Sequence, residues 1–129
     1  MLKVLIVDDS LIVRNTLKQK FEDLGYEVVG LASSGKEAIL LNSRLKPDLI
    51  TMDITMPLMN GIEATQHILF EFPEVKILMI TSHGEEDLVM DAIASGADGY
   101  LLKPITHGNI LTALNKLYEK ENEKEEEEV

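Results

Sequence analysis

Five short apolar runs cross this sequence, and four of them end in side chains suited to phosphate or magnesium chemistry. Lys3 to Val7 runs into Asp8 and Asp9, Leu49 to Met52 into Asp53, Ile77 to Ile80 into Thr81, and Tyr100 to Leu102 into Lys103. Taken singly, these would be helix-cap, turn or strand residues and a solvated lysine. Their shared place at strand ends changes the reading. A chain that alternates strand and helix builds a parallel sheet, and such sheets bind ligands outside the carboxyl ends of their strands. Three carboxylates, a hydroxyl and an ammonium are thereby brought to one place.

Three carboxylates at strand spacing repel, and without a counter-charge one would keep its proton at neutral pH. A divalent cation removes the conflict. The donors are all oxygen, the chain has no cysteine, and no strand end carries a histidine, so a hard ion fits and Mg2+ is the natural choice. Such an ion neutralises phosphoryl oxygens. Asp53 is then placed to attack phosphorus as a carboxylate nucleophile, with Lys103 holding one phosphoryl oxygen and Thr81 donating to another.

The elements that must position these groups are legible in turn. Ser10 can cap a helix whose inward stripe is Val13, Leu17, Phe21 and Leu24, with Gly25 as its stop. Tyr26 to Ala32 reads as a second strand ending in Ser33; lacking an ionisable end, it is expected at the sheet edge. Ser34 to Glu37 reads as a capping box opening a helix with Ala38, Leu41 and Leu45 inward, closed before Pro47. A loop from Ile54 to Asn60 leads into a helix from about Gly61 to Phe72, with Ile62, Leu69 and Phe72 on one face; Gly61 is taken to serve the turn. Glu85, Glu86 and Asp87 suit the positive end of the next helix, which Gly96 ends, and a last helix carries Ile110, Leu114 and Leu117 inward. His83 and His107 are read as loop histidines without metal-ligand spacing.

At 129 residues the chain is expected to be one domain. No apolar run approaches a membrane span, and no charged leader precedes an apolar block, so a cytoplasmic protein without membrane insertion is expected. The net charge of −11 argues against unaided binding to nucleic acid. Seven Glu and two Lys lie between residues 119 and 129. The expected division is therefore a folded domain over residues 1–120 and a solvated, disordered acidic extension over 121–129.

Right-handed crossovers place helices on both faces of the sheet, so the strand order must reverse. Order 2-1-3-4-5 does this with the fewest moves; it is adopted from the flavodoxin-like precedent, not deduced. Strands 1 and 3 are then neighbours, setting Asp8 and Asp9 beside Asp53 at about 5 Å strand spacing, and Thr81 flanks Asp53 from strand 4. Only a long side chain such as Lys103 reaches across from strand 5.

The stretches Val7-Asp8-Asp9-Ser10, Met52 to Gly61, Ile80-Thr81-Ser82, Gly96 to Tyr100 and Lys103-Pro104 together resemble the receiver domain of two-component response regulators. Within that family they are most similar to the CheY-like, free-standing chemotaxis type, over about residues 2 to 119. The resemblance implies an α/β, doubly wound, five-stranded parallel sheet with five helices. It implies Asp53 as phosphoacceptor and Mg2+ held by Asp9 directly, by Asp8 largely through water, by Asp53, and by the backbone carbonyl of Thr55. Thr81 and Lys103 would bind the phosphoryl group, Thr81 and Tyr100 would form the switch, and the Lys103-Pro104 bond would be cis. The implied partners are a sensor histidine kinase and a downstream protein on the face of residues 85–120, the flagellar motor being one candidate. The implied state is a monomer or a phosphorylation-dependent dimer.

Two other functions compete. A magnesium-dependent aspartyl-phosphate phosphatase of the haloacid dehalogenase type carries a second Asp two residues after the nucleophile as general acid; here that position is Thr55, so turnover of small substrates is disfavoured. The chain also resembles the receiver portion of a longer, DNA-binding regulator, although no helix-turn-helix pattern or basic patch follows Tyr118. Thr55 and His83, two residues after Asp53 and Thr81, flank the expected path of attacking water.

Overall fold

Strand and helix alternate without interruption in the structure, a computed structural model that describes residues 2–82 and 86–128. The elements are β1 (Lys3–Val7), α1 (Leu11–Asp23), β2 (Glu27–Ala32), α2 (Gly35–Leu45), β3 (Leu49–Asp53), α3 (Gly61–Glu71), β4 (Lys76–Thr81), α4 (Glu86–Ala94), β5 (Gly99–Leu102) and α5 (His107–Glu128). All pairings are parallel and the order is β2-β1-β3-β4-β5, with β2 at the edge as expected.

Successive strand residues face opposite sides of the sheet, and the two sides build two cores. Leu5, Val7, Ile50, Met52, Ile77 and Met79 pack with Ala38 of α2, Ala64 and Ile68 of α3, and Ala92 of α4. Val4, Ile6, Leu49, Leu78 and Ile80 pack with Leu17 and Phe21 of α1 and with Ile110, Leu114 and Leu117 of α5. A buried side chain of this size contributes about 1.5–3 kcal/mol, so both sheet faces resist the sliding of any strand. That rigidity matters at the carboxyl edge, where the polar side chains sit.

Local signals act mostly where the sequence puts them. Ser10 caps α1, its Oγ accepting from Val13 N at 3.3 Å, and Gly25 follows the helix at φ 91°. The capping box at Ser34 is corrected: Ser34 Oγ accepts from Glu37 N, but the Glu37 carboxylate reaches back to Ser33 N instead. A reciprocal box forms at Asn60 and Glu63, opening α3 directly after the loop that follows Asp53.

The inward face of α3 also differs. Gly61, Ala64, Thr65 and Ile68 are fully buried, while Ile62, Leu69 and Phe72 pack only partly against the core. Small residues let the helix axis approach the sheet, and the larger ones then flank the contact. In α2 the buried residues are Gly35, Ala38 and Asn42, while Leu41 packs only partly against the core. The backbone of α5 is helical through Glu128, where a disordered extension is expected over 121–129. Glu and Lys are good helix formers, and no Gly or Pro follows Gly108 to break the run. His83, Gly84 and Glu85 lie outside the described residues. Among the described residues no helix is long and apolar enough to cross a membrane.

Candidate functional site

Asp53 is the last residue of β3 and stands opposite Ile80 of β4 in register; Asp8 follows Val7, which stands opposite Met52. Asp8 and Asp53 are buried and Asp9 is exposed, so one side of the carboxylate cluster is wet. One carboxylate oxygen from each of the three lies within 4.8 Å of the others. At an effective dielectric of about 20, two unit charges within 4.8 Å, as on Asp8 and Asp53, repel by at least roughly 3–4 kcal/mol. Nothing in apolar packing offsets that.

Asp8 is held from several sides. Its N–H donates to Ala32 O at 3.0 Å, its Oδ1 accepts from Ser10 N at 2.9 Å, and its carbonyl accepts from Arg14 Nη1 at 2.8 Å. Its Oδ2 is buried without a hydrogen-bond partner among the described residues, and Lys103 Nζ lies 3.9 Å away, an ion-pair distance too long for a hydrogen bond. Burial pushes the Asp8 carboxyl above the usual carboxylate range and Asp9 adds to the shift, while the Ser10 N–H, Lys103 and Arg14 pull it back. An orphaned buried oxygen and two neighbouring carboxylates, all hard oxygen donors, fit a hard divalent cation. Among the described residues, Asp8, Asp9 and Asp53 could hold it.

Thr81 is fully buried at the end of β4, its Oγ1 donating to Ser82 O at 3.0 Å. Lys103 N donates to Thr81 O at 2.8 Å, so the hydroxyl and the ammonium hang from two bonded backbones. The Lys103-Pro104 peptide is cis, and Asn109 Nδ2 donates to Pro104 O at 2.9 Å, tying this loop to the first turn of α5. Tyr100 points largely into solvent, 53% exposed. Thr55 is exposed in the loop after Asp53, next to buried Ile54.

Two residues matter here that sequence reasoning passed over or undervalued. A Cβ on Gly61 would fall on the carbonyl oxygen of Asp53 and lie 2.9 Å from Met52 Cγ, while Gly61 N donates to Ile54 O at 2.7 Å. Gly61 therefore does more than complete a turn: it lets α3 begin against the backbone of Asp53. Arg14, on the first turns of α1, left no motif to find. His107 has left the category of a lone loop histidine, its Nε2 lying 3.0 Å from Asp23 Oδ2.

Residues 4–115 match the family model described as the response regulator receiver domain. The chain belongs to that family. This receiver domain is 44% identical over 115 residues to the chemotaxis protein CheY of Thermotoga maritima, covering 89% of this chain and 96% of that one. It is also 44% identical over 124 residues to the response regulator protein VraR of Staphylococcus epidermidis, covering 94% of this chain but 58% of that longer protein. Among solved structures it is similar to a chain in the CheX–CheY–BeF3–Mg complex of Borrelia burgdorferi, with TM-score 0.85, 32% identity, and coverage of 91% and 89%. The domain is thus a CheY-like receiver of two-component signalling, with the fold of that family.

Proposed function

We propose that this receiver domain is a phosphorylation-controlled switch in which Asp53 accepts a phosphoryl group from a sensor histidine kinase. The observation that carries the reading is the closeness of the Asp8, Asp9 and Asp53 carboxylates, within 4.8 Å, at the strand ends beside Thr81 and Lys103. An Asp53 oxygen forms the new bond to phosphorus as the bond from phosphorus to the kinase's histidine nitrogen breaks, and the electron pair leaves on that nitrogen. Mg2+, held by Asp8, Asp9, Asp53 and the Thr55 carbonyl, would supply charge neutralisation for the phosphoryl oxygens. Lys103 takes one of these oxygens and the Thr81 hydroxyl another.

Phosphorylation adds about two negative charges at one point. Thr81 gives up its bond to Ser82 O to meet them, and the space it vacates admits the Tyr100 ring from solvent. Burying that ring favours one of two surface states, which a downstream protein reads on the face of α4, β5 and α5. A groove of about 660 Å³ lined by Ile93, Tyr100, Lys103 and Ala113 lies on this face. The chain acts as phosphoacceptor with self-catalysed transfer and loss of phosphate, not as an enzyme for small substrates. We place it in the cytoplasm as a monomer or phosphorylation-dependent dimer, with residues 1–120 as the receiver unit and 121–129 as an acidic extension. The likeness to VraR supports a second reading, the receiver portion of a longer regulator.

The test is phosphoryl uptake from acetyl phosphate with Mg2+, followed by intact mass. The parent should gain one phosphoryl group and Asp53→Asn none, with its circular dichroism unchanged. Equal uptake by the two proteins would remove Asp53 from the role.

A further inference from the structure

Asp9 is exposed, and its carboxylate makes no hydrogen bond or ion pair of its own among the described residues. Its direction is therefore set through its backbone. The peptide that joins Asp8 to Asp9 is planar, so whatever fixes the Asp8 carbonyl fixes the plane from which Asp9 projects. Arg14 does this, with Nη1 donating to Asp8 O at 2.8 Å. The arginine is itself anchored: Arg14 N donates to Ser10 O at 3.0 Å, and Ser10 Oγ caps the same helix. From the other side Asp8 N donates to Ala32 O at 3.0 Å. A planar, permanently charged guanidinium gives a directed bond here that a shorter or neutral side chain would not.

We propose that Arg14 is a positioning residue for the cation site, holding the Asp8–Asp9 peptide so that the Asp9 carboxylate faces Asp8 and Asp53. The inference rests on the reading of these three carboxylates as a Mg2+ site. The sign of its effect separates it from plain electrostatics. As a positive charge near the site, Arg14 opposes a cation, so its removal should tighten Mg2+ binding. As the clamp on the Asp9 backbone it assists, so its removal should weaken binding. Partners that orient metal ligands typically change affinity by about 10–100-fold when removed.

The experiment is calorimetric titration of the purified chain with MgCl2 at pH 7 and fixed ionic strength, for the parent, Arg14→Met and Asp9→Ala. Methionine keeps an unbranched stem over the helix while removing the donor and the charge. Arg14→Met should raise the Mg2+ dissociation constant about tenfold. A constant equal to the parent's or lower overturns the positioning role. If Arg14→Met loses its native circular dichroism, Arg14→Gln is titrated in its place with the same two outcomes. Asp9→Ala keeps the failures apart: a parent that binds no better than Asp9→Ala refutes the cation site itself, and the role proposed for Arg14 falls with it.

Discussion

Replacing Asp8 by asparagine should stabilise the metal-free protein, an unusual result for a buried polar residue. In the parent, the repulsion between Asp8 and Asp53 within 4.8 Å, at least roughly 3–4 kcal/mol at an effective dielectric of about 20, offsets most or all of the attraction of Lys103 at 3.9 Å, about 4 kcal/mol on the same scale. What remains is the desolvation of a carboxylate that is 1% exposed, with one oxygen lacking a hydrogen-bond partner among the described residues, and the repulsion from Asp9. Against this stand a weaker attraction from Arg14 and the Ser10 N–H bond to Oδ1, the bond worth about 1.5–3 kcal/mol to a charged acceptor and about 1 to a neutral one. Asparagine keeps that bond in weaker form and loses the charge. The balance is a gain of about 1–2 kcal/mol for Asp8→Asn at pH 7 in EDTA, or several degrees in midpoint.

The pH dependence has a definite sign. A folded pKa raised above the unfolded value near 3.9 means that the native state holds the Asp8 proton more tightly. The favourable contribution is complete below the unfolded value and is lost as pH rises through the folded value. The advantage of Asp8→Asn should therefore be small near pH 4 and grow to a plateau at neutral pH. Saturating Mg2+ should narrow or reverse it, because only the parent's full carboxylate set gains from binding. Urea unfolding at several pH values, with EDTA and with Mg2+, measures all three trends. A variant less stable than the parent in EDTA at pH 7, or a difference flat in pH, refutes the reasoning.

Gly61→Ala should cost about 1–3 kcal/mol and slow phosphoryl uptake, because its Cβ would displace the Asp53 carbonyl; unchanged urea midpoint and uptake rate would contradict the close approach. Thr51→Val should stabilise by about 1 kcal/mol without changing uptake, since the fully buried Thr51 Oγ1 has no hydrogen-bond partner among the described residues; a destabilised variant would reveal a partner such as a buried water. Lys103→Ala should still accept phosphate at Asp53, more slowly, while chemical-shift changes around Tyr100 shrink on phosphorylation. Shifts of full parental size would take Lys103 out of the switch.

The alternation of apolar runs with helical periodicity was enough to determine a parallel α/β sheet, and the strand-end positions of Asp8, Asp9, Asp53, Thr81 and Lys103 were enough to set all five at its carboxyl edge. Both are consequences of short-range pattern: period two or 3.6 in hydrophobicity, then a polar residue where the strand stops. The strand order came from precedent, and the motifs at five places named the family before any distance was known. Tertiary structure decided the rest. Glu37 misses the Ser34 N–H, Asn60 and Glu63 form the reciprocal cap, and α3 buries Ala64, Thr65 and Ile68 more deeply than its larger residues, because helix-to-sheet distance is set by packing across the whole layer. Gly61 against the Asp53 carbonyl and Arg14 on the Asp8 carbonyl are contacts to backbone, which leave no signature in side-chain type or spacing. The Asp8 oxygen without a hydrogen-bond partner among the described residues belongs to the same class: a carboxylate is visible in a sequence, but whether it keeps its water is decided only when β1, β3 and the loop after β5 close around it.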